Sequence, residues 1–359
     1  MSWTQKTLGE IVNLKRGFDL PSSSRINGPY PVFSSSGQTG THSEAAVKGP
    51  CVVTGRYGTI GQVFFSDAAC WPLNTSLYST EFKGNDPKFV YYLLKTIPWR
   101  DYLTASAVPG INRNHVHLCP VCVPDHETQT AISGVLGLLD NKIELNAKLN
   151  GYLEEQCEAV ANHEKGFAVE LSSLCDLVKE KADYNEANFD TYVSTESLLP
   201  GKKGRQAPSS LPQTGKVTVY KARDILISNI RPYFKKIWYA DRTGTCSGDV
   251  LVFRAKQPEQ SGYLYSCMRS DAFFDYIMKG AKGTKMPRGD KKQMLTYKVA
   301  SNPSGATVDF IESALSQASS SSKEKHSLAA LRDVLLPKLM SGEIDVSKVD
   351  LKQLNSHLV

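Results

Sequence analysis

The chain has 359 residues, more than one compact domain usually holds, so two or three domains are expected. Apolar residues supply 41% and charged residues 22%, which excludes collagen-like, disordered and disulfide-dense secreted classes. The 42 lysines and arginines exceed the 36 acids by +6, a mild excess that permits a nucleic-acid partner without requiring one. No apolar run follows a basic start, so no signal peptide is expected, and no stretch approaches the roughly 18 apolar residues of a membrane span. Eight cysteines, scattered singly except for Cys119 and Cys122, read as reduced thiols and place the chain in the cytoplasm.

Residues 1–125 are rich in Gly, Pro, Ser and Thr, with strands expected at Cys51–Thr54 and Gln62–Phe65 and a helix at Pro87–Thr96. Residues 126–165 differ in kind. From Ile132 the positions Leu136, Leu139, Ile143, Asn146, Asn150, Leu153, Cys157 and Val160 step by alternating fours and threes. That is a heptad seam with two asparagines, which can fix register at a cost in stability. Residues 166–305 return to the irregular composition, with strands at Val217–Tyr220 and Val250–Phe253 and one helix over Ser261–Met278. In residues 306–345 a seam starts at Val308, Ile311, Leu315 and Ala318 and weakens through Ser319–Ser322. It resumes out of phase at Leu328, Leu331, Leu335 and Leu339, and Pro337 is expected to kink the helix near its end. Residues 346–359 form a tail.

The order of these segments is an internal repeat. The stretch around Leu8 is echoed around Leu174, Val53-Thr-Gly-Arg56 by Ile227-Ser-Asn-Ile-Arg231, and Val108-Pro-Gly-Ile-Asn-Arg113 by Thr284-Lys-Met-Pro-Arg288. Leu149-Asn-Gly-Tyr-Leu153 is echoed from Leu328, and the offset grows slowly from 166 (Leu8 to Leu174) to 179 (Leu149 to Leu328). Two helices of about 35 residues, each roughly 50 Å long at 1.5 Å per residue, most simply bury their leucine stripes against each other as an antiparallel pair. The fold class expected is therefore α+β: two globular mixed α/β domains joined by two long antiparallel coiled-coil helices, with a pseudo-twofold repeat.

No complete catalytic constellation emerges. Gly55-Arg-Tyr-Gly58-Thr-Ile-Gly61 has neither GxGxxG nor P-loop spacing and reads as a Gly-rich hairpin. Cys119 and Cys122, with His115 and His117 on the same short segment, read as a strand rather than a zinc site. Pro124-Asp125 with Asp140-Asn-Lys142 matches a loose nuclease pattern, but its second half lies on the heptad helix. No N/D-P-P-Y/F tetrapeptide is present to grip a flipped base.

The cations, however, cluster. Lys279, Lys282, Lys285, Arg288, Lys291 and Lys292 face one acid, Asp290, in a stretch whose glycines 280, 283 and 289 argue for a loop. Upstream, Arg231, Tyr233, Lys235 and Lys236 interleave cations with aromatics. In the first copy Asn112, Arg113, Asn114 and His115 are side-chain types that read base edges, and Ser34–His42 adds a polar run with Ser35, Gln38, Thr39 and His42. With Arg56 and Tyr57, and with Lys282, Lys285, Arg288, Lys291 and Lys292, these are the candidate DNA contacts.

The ordered set of motifs resembles the specificity subunits of type I restriction–modification systems. It runs from Trp3-Thr-Gln-Lys-Thr-Leu8-Gly-Glu-Ile-Val12 and Tyr30–His42 through Val53–Val63, Val123–Gln129 and Leu138–Ile143 to Leu335-Leu-Pro-Lys-Leu-Met-Ser-Gly-Glu-Ile344. The resemblance implies two target-recognition domains (1–125 and 166–305), each reading half of a bipartite, asymmetric double-stranded DNA site. Spacer helices at 126–165 and 306–345 would dock two modification (methyltransferase) subunits, with restriction subunits in the full complex. It implies no enzyme activity and no cofactor in this chain, with S-adenosylmethionine, ATP and Mg belonging to the partner subunits, and no membrane partner. The second copy lacks the opening tryptophan and Gly-Glu. The alternative from another class is a non-catalytic coiled-coil interaction scaffold without DNA readout.

Overall fold

The computed structural model describes residues 2–104 and 109–350, together with Gln353 and Ser356; Val108 of the repeated loop and half of the tail lie outside them. The fold is mixed α/β. The chain divides into two compact units, Met1–Glu144 with His326–Val359, and Leu145–Lys325.

The first unit opens with β1 (Trp3–Thr7), α1 (Leu8–Ile11) and β2 (Asn13–Arg16). A hairpin of β3 (Tyr30–Ser34) and β4 (Gly37–His42) follows, then β5 (Cys51–Gly55), β6 (Val63–Ser66), β7 (Trp71–Pro72) and β8 (Ser76–Glu81). Helix α2 (Pro87–Thr96) starts at Asp86, whose carboxylate accepts the Phe89 N–H at 2.7 Å, and Pro87 supplies the preset φ of a first helical residue. The unit continues through α3 (Arg113–Val116) and β9 (Pro120–Pro124) into the long α4 (His126–His163). Strands β2, β8, β5 and β6 form an antiparallel sheet in that order, β4, β3 and β7 a second, and β1 pairs with β9. Every residue of β5 is buried, so it reads as a continuous apolar run rather than an alternating one. Leu8, Ile11, Val52, Leu77, Phe89 and Leu136 are among the residues that form the core.

The second unit has β10 (Ala168–Glu170), α5 (Leu171–Leu174), β11 (Cys175–Leu177), β12 (Lys181–Asp183), β13 (Lys216–Tyr220) and β14 (Ile225–Ser228). Next come β15 (Ile237–Tyr239), β16 (Gly244–Cys246) and β17 (Val250–Ala255), then α6 (Ser261–Met268), α7 (Asp271–Lys279), α8 (Lys291–Leu295), β18 (Lys298–Ala300) and α9 (Gly305–Met340). Its sheets are β11-β17-β14-β15, β12-β13-β16 and the pair β10-β18. The expected single helix over Ser261–Met278 is two. Ser270 breaks it by capping α7, its hydroxyl accepting the Phe273 N–H at 3.2 Å, with Asp271 in the first turn. In α5, Leu171 rather than Leu174 takes the place that Leu8 has in α1. Each leucine opens a one-turn helix, and its carbonyl accepts the N–H of the capping residue, Val12 or Cys175.

The seam of α4 is buried at Ile132, Leu136, Leu139, Asn146 and Cys157. Along α9 the buried positions are Ile311, Leu315 and Ala318, then Ser321, Leu328 and Leu339; Ser321 and Leu328 fall one residue before the places that the first three set, so the seam shifts through the serine-rich stretch as expected. Of the positions expected after the shift, Leu328 and Leu339 are buried and Leu335 half-buried, but Leu331 is exposed; half-buried Arg332 stands in its place and donates to Asp140 at 2.7 Å. Within the second unit Glu164 accepts from Ser304 and Thr307, Asn150 donates to Ser322 at 2.8 Å and Asn146 to Glu324 at 2.9 Å. Partners ascending α4 therefore meet partners descending α9, and the serine-rich stretch of α9 is where the two seam asparagines find their acceptors. The two acids of the nuclease-like pattern are engaged structurally. Asp125 accepts the Thr128 N–H at 2.9 Å, and Asp140 accepts from Tyr92 at 2.7 Å as well as from Arg332.

Candidate nucleic-acid interface

In the first unit three loops converge at the end of β5. Thr75 O accepts the N–H groups of Arg56 and Tyr57 at 2.9 and 3.1 Å, and Ile111 donates its N–H to Arg56 O at 2.9 Å. Tyr57 lies flat against Gly110, where a Cβ would stand 2.2 Å from the ring, so glycine is what admits the tyrosine. Ser35, in the β3–β4 turn, abuts Gly55 and Gly58. The Arg56 guanidinium lies 4.5 Å from the Tyr57 ring centroid, a cation–π contact that holds the charge in place. Arg16, Arg56, Tyr57, Thr104, Asn112 and Arg113 line a cleft of about 360 Å³, and no carboxylate lines it among the described residues. Arg16 pairs outside it with exposed Asp19 at 3.5 Å.

The expected contacts of this unit thus divide. Ser35, Arg56, Tyr57, Asn112 and Arg113 are brought together, and exposed Asn114 follows on α3, its N–H capped by the Asn112 carboxamide at 3.0 Å. Gln38 and Thr39 are exposed on β4. His42 is buried at 6% exposure; its Nδ1 accepts the Ile26 N–H at 3.1 Å and its ring packs edge-on against Trp71. The imidazole faces the interior.

In the second unit the matching turn follows β14. Arg231 adopts a left-handed φ of 50° and donates its N–H to Pro287 O at 2.8 Å, and Lys235 is left-handed at 51°. The rings of Tyr233 and Phe234 are exposed, 4.6 Å apart. Lys235 and Lys236 point elsewhere: Lys235 pairs with Asp271 at 2.9 Å, and Lys236 donates to Thr195 O at 2.6 Å. Burial holds the Lys236 ammonium below its usual pKa. The basic loop is pinched by reciprocal bonds of 2.9 Å between the backbones of Lys282 and Arg288, with Gly283 at φ 95° in the turn. Lys285 is exposed between them. Arg288 reaches Asp249 Oδ1 at 3.0 Å, and Lys282 reaches Asp290 at 3.3 Å.

The loop is shorter than its glycines suggest. Asp290 caps α8 by accepting the Lys292 and Gln293 N–H groups at 2.9 and 3.2 Å, which places exposed Lys291 and Lys292 on a helical first turn. Those backbone bonds, then the one from Lys282, hold the Asp290 carboxyl below the ordinary range. Two residues on these faces escape a reading by motif: Arg16, far from the loops in sequence, and Asp249, which arrives through the turn before β17. A lone arginine or aspartate at a strand end carries no local signature.

Two loop ends tied by main-chain bonds, with cations displayed beyond them, form a surface suited to binding a polyanion. Comparison with known proteins gives this surface its context. Residues 1–155 match the family model described as the type I restriction modification DNA specificity domain.

Over that segment the chain resembles the DNA specificity domain of type I restriction–modification systems.

A curated member of that family, the type I restriction enzyme EcoDI specificity subunit of Escherichia coli, is 20% identical over 356 residues, covering 84% of this chain and 78% of the relative. The crystal structure of a type I restriction–modification system S subunit from M. genitalium superposes with a TM-score of 0.57 at 17% identity. It covers 94% of this chain and 96% of that one, a likeness of fold. No described helix is long and apolar enough to cross a membrane.

Proposed function

We propose that this chain is the sequence-specific DNA-recognition subunit of a type I restriction–modification complex. Residues 1–125 and 166–305 each read one half of a bipartite, asymmetric site. The helices over 126–165 and 306–345 act as an antiparallel coiled-coil spacer that docks two modification subunits, with restriction subunits joining in the full complex. The chain acts in the cytoplasm and is not itself an enzyme; binding of S-adenosylmethionine, ATP and Mg is assigned to its partners.

One observation carries the reading. At the end of the buried central strand of each unit, β5 or β14, a turn bearing an arginine is tied by main-chain bonds to a second loop that ends in another arginine. The pairs are Arg56 with Arg113 and Arg231 with Arg288. The same kinds of sheet recur around both turns, four strands, three strands and a terminal pair, which supports reading the units as copies of one design. Unlike side chains on like frames suit unlike half-sites.

Arg113→Ala and Arg288→Ala are each expected to cost about 1–3 kcal/mol of specific affinity and to relax preference at one position of the site. Replacing Lys291 and Lys292 with alanine should weaken binding to all sequences and flatten the salt slope by roughly one for each phosphate no longer neutralised. Affinity measured across a salt series tests both, and an unchanged slope removes α8 from the interface. Capture of genomic fragments on the full chain, followed by sequencing, tests the reading as a whole. A bipartite motif is expected, whereas random recovery would mean an interaction scaffold.

A further inference from the structure

We infer that Asp249 is a specificity-determining residue of the second unit, biasing Arg288 toward the neutral edge of a guanine and away from backbone phosphate. The inference rests on the DNA-reading function proposed above and names what one of its loops selects.

The geometry is a nearly parallel fork. Arg288 Nη1 lies 3.0 Å from Asp249 Oδ1 and Nη2 lies 3.5 Å from Oδ2. Guanine presents the same two-acceptor pattern, O6 and N7, in the major groove, and arginine is its commonest reader. The ion pair is exposed at both ends, with side-chain exposures of 55% for Arg288 and 38% for Asp249, so water and ions screen it and it can be exchanged. The exchange is not neutral in charge. A phosphate approaching Arg288 comes within a few ångströms of the Asp249 carboxylate and is repelled, whereas a base edge carries no net charge and meets no such cost.

The position is held by the fold rather than by the ion pair. The Asp249 carbonyl accepts the Asn229 N–H at 2.8 Å, anchoring the turn before β17 to the strand that leads to Arg231. In the first unit Thr75 occupies the comparable turn before β8, and its carbonyl accepts from Arg56 and Tyr57. There the side chain is a hydroxyl, and among the described residues no carboxylate lines the cleft around Arg56 and Arg113. The same backbone place thus carries an acid in one unit and an uncharged group in the other.

The test uses the full chain, a pool of randomised duplexes and the duplex selected from that pool. In the Asp249→Asn variant, binding to the random pool should tighten several-fold and its log–log salt slope should steepen by about one, because a phosphate now reaches Arg288. Preference for the selected duplex should shrink, Asp249→Glu should keep the original behaviour, and the gain should vanish when Arg288→Ala is also present. Unchanged random-pool affinity and slope would overturn the inference, and so would a gain that persists without Arg288, which would be a bare charge effect. If the unsubstituted chain selects no sequence at all, the DNA-reading function itself fails, and this is seen before any variant is made.

Discussion

Arg269→Ala is expected to unfold the second unit about 10 °C below the unsubstituted chain, the shift that a loss of about 3–5 kcal/mol gives a unit of this size. Arg269 is only 5% exposed and lies between two acids of α4, with Glu158 at 2.8 Å and Glu154 at 3.4 Å, while Tyr265 donates to Glu154 at 3.0 Å. Removing the guanidinium leaves Glu158 with Lys202 at 3.1 Å but strands Glu154 with a single hydroxyl. Burial already pushes the Glu154 carboxyl above its ordinary value of 4.5, against the pull of Arg269 and Tyr265, and without Arg269 it rises further. A carboxyl whose folded pKa exceeds its unfolded one loses stability as pH rises from about 4.5 toward the folded value. The deficit of the variant should therefore be small near pH 4.5 and widen toward neutrality, and Glu154→Gln added to it should recover part of the loss. Thermal melts at several pH values check this; a deficit independent of pH would mean that packing, not the stranded acid, sets it.

Gly55→Ala should be nearly as damaging and should act on the first unit. A Cβ there would stand 1.8 Å from the Thr59 carbonyl oxygen and 3.2 Å from Ser35 Cβ. The first obstacle is backbone, so no rotamer change relieves it, and the turn carrying Arg56 and Tyr57 must open. A cost of about 3 kcal/mol, at the upper end for overpacking, corresponds to a fall of roughly 1–2 M in the urea midpoint. Trp3, Trp71 and Trp99 lie in the first unit and Trp238 in the second, so tryptophan fluorescence during a urea titration reports mainly the affected unit. DNA affinity should fall in step, because the displaced turn supplies one wall of the cationic cleft. Wild-type stability in this variant would show that the turn has room the geometry denies it.

What the sequence made legible was whatever a local pattern encodes. The buried run Cys51–Gly55, the capped helix Pro87–Thr96 and the heptad steps of α4 all follow from burial periodicity and end signals. Ser270-Asp271 is also a legible helix start, but the apolar residues on both sides masked it. The place of Arg332 on the inner side of α9 was hidden for a different reason: its partner, Asp140, comes from α4, a tertiary fact. At the candidate site the clustered cations and the polar loops stood out as composition. Which of them face outward did not. His42 turns inward onto Ile26 and Trp71, Lys235 and Lys236 turn to Asp271 and Thr195, and Asp249 enters from a distant turn.

The loops that hold Arg56, Arg113, Arg231 and Arg288 are fastened through peptide groups, by Ile111 N–H on Arg56 O and by Arg231 N–H on Pro287 O. Peptide groups are common to nearly all residues, so the fastening is indifferent to what the neighbouring side chains are. Such a frame tolerates wholesale exchange of its exposed letters: a library randomised at Arg113, Asn114, Lys285 and Arg288, with the capping Asn112 kept, should keep its melting temperature while its members diverge in what they bind. New preferences can then arise in one unit without the other having to change, an evolvability rooted in where the hydrogen bonds were placed.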